Sequence, residues 1–135
     1  MSNIQDGTSF EEKLVVILGC NGFWATGIPK DKEGMQPADI IACNHLGTHL
    51  IDAKLCKRNK FDLSRVEDNQ ISSMRHIDRK AGGYGWFACG FTDRIVMLPY
   101  KYVLNRIDAG KKSLSNKDLP SQFGLEYWIN ENRDF

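Results

Sequence analysis

Pro37-Ala38-Asp39-Ile40-Ile41-Ala42-Cys43 and Thr48-His49-Leu50-Ile51-Asp52-Ala53-Lys54-Leu55, joined by Asn44-His45-Leu46-Gly47, carry the reading of the fold. Both runs are short and rich in residues that pack well on a pleated surface, and the glycine-containing turn between them predicts a β-hairpin. Side chains alternate along a strand, so Asp52 and Lys54 share one face while Ala53 points to the other. Asp39 opens the neighbouring strand. Three charged groups thus converge at one end of a small sheet.

Two carboxylates can hold a divalent cation through oxygen, and an adjacent ammonium can orient a water or balance phosphate charge. Such a set suits metal-assisted hydrolysis of a phosphodiester. An Asp-x-Lys triplet on an exposed strand is, by contrast, an ordinary solvated ion pair worth little. Ile40, Ile41, Leu50 and Ile51 favour the chemical reading, because they are too apolar for a sheet that faces water. Ionisable groups that interrupt buried strands are costly and concentrate where chemistry is done.

Working outward, the 135 residues fit one domain spanning 1–135, long enough to bury a hydrophobic core. No apolar run approaches the roughly 20 residues that span a bilayer, and no basic-then-apolar leader opens the chain, so no membrane association is expected. Cys20, Cys43, Cys56 and Cys89 are widely spaced without a Cys-x-x-Cys pair. Three of them lie in apolar strand-like runs or at the end of one, where a free cysteine acts as a small core residue. Zinc is not expected, and a reducing cytoplasm fits best. His45 and His49 straddle the turn and read as surface residues rather than ligands.

Net charge is only +1, which alone does not point to nucleic acid; its distribution does. Residues 1–52 carry net −4, residues 53–117 net +8 and residues 118–135 net −3. Much of the excess lies in Lys54-Leu55-Cys56-Lys57-Arg58-Asn59-Lys60 and from Arg75 to Lys80. A basic cluster beside a carboxylate pair suits a phosphate backbone, although any single lysine here reads equally well as a solvated loop residue.

Thr8 or Ser9 predicts the cap of a first helix reaching about Leu18, with Glu11 and Glu12 in its first turn. Gly19 and Gly22 end it, and Phe23 to Thr26 forms a first strand. A loop through Pro29, Gly34 and Pro37 leads into the hairpin. Asp62 or Ser64 begins a second helix to about Lys80, with Val66, Ile71, Met74 and Ile77 as its apolar stripe and Gly82-Gly83 as its stop. Trp86 to Phe91 and Ile95 to Leu98 read as strands, and Tyr100 to Ile107 as a last helix.

The Pro-x-Asp element followed by Asp-Ala-Lys resembles the motif of the PD-(D/E)xK nuclease superfamily, and its flanks resemble Holliday junction resolvases of the archaeal Hjc and bacterial RecU type. Gly7-Thr8-Ser9-Phe10-Glu11-Glu12-Lys13-Leu14, running on to Gly22-Phe23, is similar to their opening helix, with Glu11 at the acidic position near the metal site. Phe61-Asp62-Leu63-Ser64 and Asp68-Asn69-Gln70-Ile71 resemble the segment whose helix returns a glutamine to the site. Gly82-Gly83-Tyr84-Gly85-Trp86-Phe87 resembles the strand that follows. Met97-Leu98-Pro99 and Gly110-Lys111-Lys112-Ser113-Leu114 resemble the RecU C-terminal part. The likeness covers about residues 7–115 and leaves 116–135 as an acidic C-terminal extension. It implies an α/β fold with a restriction-endonuclease-like core, a mixed central β-sheet flanked by helices in the order α-β-β-β-α-β.

The resemblance also implies a Mg²⁺-dependent, structure-selective DNA endonuclease, in the first instance a Holliday junction resolvase, with Mn²⁺ as a substitute metal. Asp39, Asp52 and the Ala53 carbonyl would hold the metal, and Glu11 would contribute directly or through water. Lys54 would position or help deprotonate the attacking water, and Gln70 would orient the water, the lysine or the phosphate. Lys57, Arg58, Lys60, Arg75 and Lys80 would grip the DNA backbone, while Tyr84 and Trp86 would stack on bases or pack in the core. Two departures stand out. Asp52 replaces the commoner Glu, and no insertion separates Asp39 from Asp52, so the stalk of RecU-type enzymes is missing or much reduced.

A nicking, flap or repair nuclease of the same fold is the first alternative; the second is a non-catalytic DNA-binding subunit, which would need no carboxylates facing phosphate. Cutting two opposed strands of a junction calls for a homodimer. Val96, Met97, Leu98, Tyr100, Tyr102, Leu125, Trp128 and Ile129 are candidates for its interface or, equally, for the domain's own core. The acidic tail after Pro120 would cover the sheet or shield the basic face. The small size suits a bacterial or phage-encoded intracellular enzyme.

Overall fold

A computed structural model describes residues 3–30 and 36–132, with side chains described from Ser9 onward. Gly34 of the expected loop and residues 133–135 of the acidic extension lie outside the described residues. The elements run α1 (Asn3–Gly19), β1 (Trp24–Gly27), β2 (Ile40–Asn44), β3 (Gly47–Leu55), β4 (Lys60–Asp62), α2 (Asp68–Ala81), β5 (Tyr84–Gly90), β6 (Ile95–Pro99), α3 (Tyr100–Asp108), β7 (Ser113–Ser115) and α4 (Leu125–Asn132). Short 3₁₀ turns fall at Leu63–Arg65, Asn116–Asp118 and Ser121–Phe123.

The hairpin forms as expected. β2 and β3 pair antiparallel from Ile40 opposite Ile51 to Asn44 opposite Gly47. Gly47 closes the turn at φ +131°, a backbone conformation open to glycine and strained for other residues. β1 pairs antiparallel with the outer edge of β2, while β3 runs parallel to β5 and β5 antiparallel to β6. The result is a mixed five-stranded sheet in the order β1-β2-β3-β5-β6.

Alternation along β3 then sorts two cores. Phe10, Leu14 and Leu18 recur every fourth residue along α1 and bury against Ile40, Ile51, Ala88 and Met97 on one face. Trp128 and Ile129 of α4 complete that layer, so the acidic tail covers the sheet. On the opposite face, Ile71 and Met74 of α2 and Tyr100 and Val103 of α3 pack with Leu50, Phe87 and Leu98. Gly85 permits the close seating of α2: a Cβ built there would lie 2.5 Å from Met74 Cβ. Any side chain at that position would push α2 off the sheet, and Gln70, one turn upstream of Met74, would move with it.

Several sequence expectations are corrected. α1 begins at Asn3, so Thr8 and Ser9 are helical residues rather than caps and Glu11 lies in the helix interior. Serine and threonine are only mildly unfavourable inside a helix, and a cap-type residue does not stop the turns upstream of it. The second helix starts later than expected because Lys60–Asp62 is drawn into a two-stranded sheet with β7. A 3₁₀ turn follows, Val66 leaves the helical stripe, and Glu67 becomes the N-cap of α2. Gly82 ends that helix at φ +64°.

His49, expected at the surface, is fully buried. It occupies the α1 face of β3, where Phe23, Tyr84, Trp86 and Trp128 surround it. Trp86 Nε1 donates to His49 Nδ1 at 3.0 Å, and burial lowers the imidazole pKa to about 4, so the ring stays neutral. Val96, Met97, Leu98, Tyr100, Trp128 and Ile129 are buried within the chain. They form its core and not a two-fold interface, with Tyr102 and Leu125 half-buried against the same clusters. Cys56 and Cys89 are buried core residues, Cys43 is half-buried and Cys20 is exposed. No helix among the described residues is long and apolar enough to cross a membrane.

Candidate active site

The site forms where β3 outruns its antiparallel partner. Pairing with β2 ends at Ile40 opposite Ile51, whereas β3 continues beside β5 as far as Leu55 opposite Gly90. The Asp39 backbone N–H still donates to the Ile51 carbonyl at 3.1 Å. One step on, the Ala53 N–H has no backbone acceptor and donates instead to Asp39 Oδ2 at 2.8 Å. A residue in a strand sends its N–H and C=O to the same side, so the Ala53 carbonyl faces this same open edge. The Asp39 side chain thus replaces the missing strand and is fixed by doing so.

Asp52 is 1% exposed. Its Oδ1 accepts from Gln70 Nε2 at 2.7 Å. The Lys54 ammonium stands 3.0 Å from Oδ2, yet that buried oxygen lacks a well-aligned hydrogen-bond donor. Burial pushes the Asp52 pKa up to about 8; the Asp39 charge raises it further and the Lys54 ammonium opposes the rise. Glu11, half-buried on α1, is raised to about 7, first by desolvation and then by the neighbouring Asp39, with Lys30 acting against both. Like charges have been placed together in a dry setting, which is a functional arrangement more often than a structural one.

Gln70 is held from two sides. Its Oε1 accepts the Glu67 N–H at 3.3 Å as part of a capping box at the start of α2, which leaves Nε2 directed at Asp52. Asn69 Nδ2 donates to the Gln36 carbonyl at 3.0 Å and ties the start of α2 to the segment before Asp39. Sequence reasoning missed Asn69 and Gln36, since nothing local marks an amide that bridges 33 residues. It also missed Arg65. That guanidinium donates to the Leu55 carbonyl at 2.9 Å and lines a cavity of about 360 Å³ with Ala53, Lys57, Arg58, Lys60 and Asp62.

The structure therefore gathers Asp39, Asp52, Ala53, Lys54 and Gln70, with Glu11 beside Asp39 and the basic loop Lys57–Lys60 leading away from Ala53. Lys80 lies apart, in a groove between α2 and the start of the hairpin with Pro37, Leu50 and His76. Arg75 is exposed on the same helix. Tyr84 is 40% exposed, but its ring stacks on His49 at 5.0 Å.

The donors at the open edge are all oxygen, which suits a hard cation such as Mg²⁺ or Mn²⁺ held by one or two carboxylates and otherwise by water. Asp52 Oδ2, buried and short of a donor, is the acceptor that such a cation would satisfy. Among the described residues no three His, Cys, Asp or Glu side chains form a cluster that could hold a metal. The fit rests on two carboxylates and a carbonyl, with Glu11 as an outer neighbour.

No protein-family model matches the chain, and no curated protein sequence matches it. Among solved structures, Hjc from Archaeoglobus fulgidus, a Holliday junction resolvase from an archaeal hyperthermophile, superposes with a TM-score of 0.58. The alignment covers 70% of this chain and 78% of that one at 23% identity. The fold is a restriction-endonuclease-like core. In that core the open edge of β3 carries the acidic pair, and the layer of α2 above it supplies Gln70.

Proposed function

We propose that this chain is a Mg²⁺- or Mn²⁺-dependent DNA endonuclease acting on branched DNA, with the four-way junction as its first candidate substrate. One observation carries the reading: the buried pair Asp39 and Asp52 meets the Ala53 edge at the point where β3 loses its partner. Asp39, Asp52 and the Ala53 carbonyl would hold the cation, which supplies charge stabilisation at the phosphate and makes a bound water more acidic. Lys54 places a positive charge beside the scissile group and orients the attacking water. Gln70 fixes the Asp52 carboxylate and keeps it from turning away. Lys57, Arg58, Lys60 and Arg65 hold the phosphate backbone next to the site and carry little sequence information.

The fold shared with an archaeal junction resolvase supports the substrate class. Two symmetric cuts need two sites, and a two-fold homodimer would supply the second. Its interface lies outside the buried set that ends at Ile129. A second reading, a nicking or flap nuclease, is favoured by the hairpin itself: only His45 and Leu46 separate the paired residues Asn44 and Gly47, which leaves no stalk to enter a junction.

Incubation with Mg²⁺ and a labelled four-way junction, flap, nicked duplex and linear duplex, with light scattering in parallel, separates these readings. The expected result is paired, symmetric incisions in the junction by a dimer. A strict monomer that cuts flaps or nicks in preference would establish the second reading. No cleavage of any substrate would overturn both.

A further inference from the structure

The loop Lys57–Lys60 walls two grooves rather than one. The first is lined by Ala53, next in the chain to Asp52, and by Lys57, Asp62 and Arg65. The second, about 610 Å³, lies on the other side of the same loop and is lined by Arg58, Lys60, Asp93, Arg94, Ser115 and Lys117. Arg58 and Lys60 face both. We propose that the second groove takes the second backbone of a DNA duplex, so that the loop sits in a groove of the double helix with one strand on either side. This rests on the nuclease reading and specifies its substrate as duplex arms rather than single strands.

Three features support a built surface rather than a scatter of lysines. Among the described residues Arg94 is fixed by neutral oxygens: its Nε donates to Asn116 Oδ1 at 2.6 Å, and its Nη2 donates to the carbonyls of Asn116 and Leu119 at 2.7 and 3.0 Å. Asp93, the one carboxylate here, accepts from Asn116 Nδ2 at 2.7 Å. The guanidinium is thus immobilised without a hydrogen-bonded carboxylate to neutralise it, and holding phosphate there costs little further side-chain ordering. Asn59, the tip of the loop, adopts φ +55°. Its carbonyl accepts from Asn116 N and its Oδ1 from Thr92 N, both at 2.9 Å. This buttress from two distant segments fixes the loop tip at Asn59, with Arg58 and Lys60 exposed on either side of it. Cations of this kind position a duplex without reading its bases. A single strand can fill only one of two grooves divided by a wall, whereas two backbones across a helical groove fill both.

Fluorescence anisotropy over a range of salt, with a blunt duplex and a single strand of the same sequence, tests the assignment on Lys117→Glu and Lys117→Gln. Lys117 is exposed at the rim of the second groove, and circular dichroism checks that both variants are folded. Duplex affinity should fall in both variants and the duplex salt slope should flatten by about 0.9 for each phosphate no longer neutralised, while single-strand binding stays at the wild-type value. Lys60→Glu, which touches both grooves, should weaken both ligands. Unchanged duplex affinity and slope in both Lys117 variants, or equal weakening of duplex and single strand, would overturn the second groove while leaving the nuclease reading intact. Failure of the wild-type protein to bind either DNA would remove the nuclease reading first and this inference with it.

Discussion

Asp52→Ala should lower the cleavage rate by at least about 10³-fold while leaving DNA affinity unchanged or slightly higher. The carboxylate is buried, is oriented by Gln70, and keeps one oxygen without an aligned donor. Removing it takes away half of the charged oxygen set at the open edge of β3. A loss of about 4 kcal/mol of transition-state stabilisation corresponds to that factor. The same change removes a negative charge that repels phosphate, so binding should not suffer. Single-turnover rates at saturating Mg²⁺ and DNA make the comparison. Near wild-type turnover in the variant would place the chemistry elsewhere.

The second large effect is on stability and has a defined pH window. Asp52 titrates at about 8 in the fold and near its ordinary value of 3.8 in the unfolded chain. The folded state therefore binds the extra proton between those values, and the metal-free protein loses stability as pH rises through them. Glu11, raised to about 7, acts in the same direction. Asp52→Asn keeps an acceptor for Gln70 and removes the buried charge. It should melt above the wild type at pH 8 by on the order of 10 °C in the presence of chelator, corresponding to a few kcal/mol. At pH 4 the two should melt close together. Calorimetric melts at both pH values decide it, and a variant less stable than wild type at pH 8 would mean that the buried carboxylate stabilises the fold.

The hairpin was legible because two apolar runs and a glycine turn encode it locally, and alternation then places Asp52 and Lys54 on one face. Gln70 was legible only through the likeness of its segment to known resolvases. Its aim depends on the capping box with Glu67 and on Gly85, which lets α2 sit close, and neither is visible from residue 70 alone. His49 was misread because its neighbours come from residues 23, 84, 86 and 128, and no local pattern announces a cage assembled from three distant segments. The β4–β7 pair has three residues a side and joins segments more than 50 apart, too short for periodicity to register. Val96 to Tyr100 and Trp128 carry apolarity that suits an interface or a core equally, and only the placement of α4 over the sheet separates the two.

Manganese binding, followed by the loss of the free-ion electron paramagnetic resonance signal on titration into metal-free protein at pH 8, tests the central claim most directly. Asp39 and Asp52 are held to share a divalent cation at the Ala53 edge. The wild type should bind Mn²⁺, Mg²⁺ should compete for the site, and Asp39→Asn and Asp52→Asn, each folded by circular dichroism, should both lose it. Mn²⁺ binding that survives both substitutions, or no binding by the wild type with or without DNA, would contradict the account.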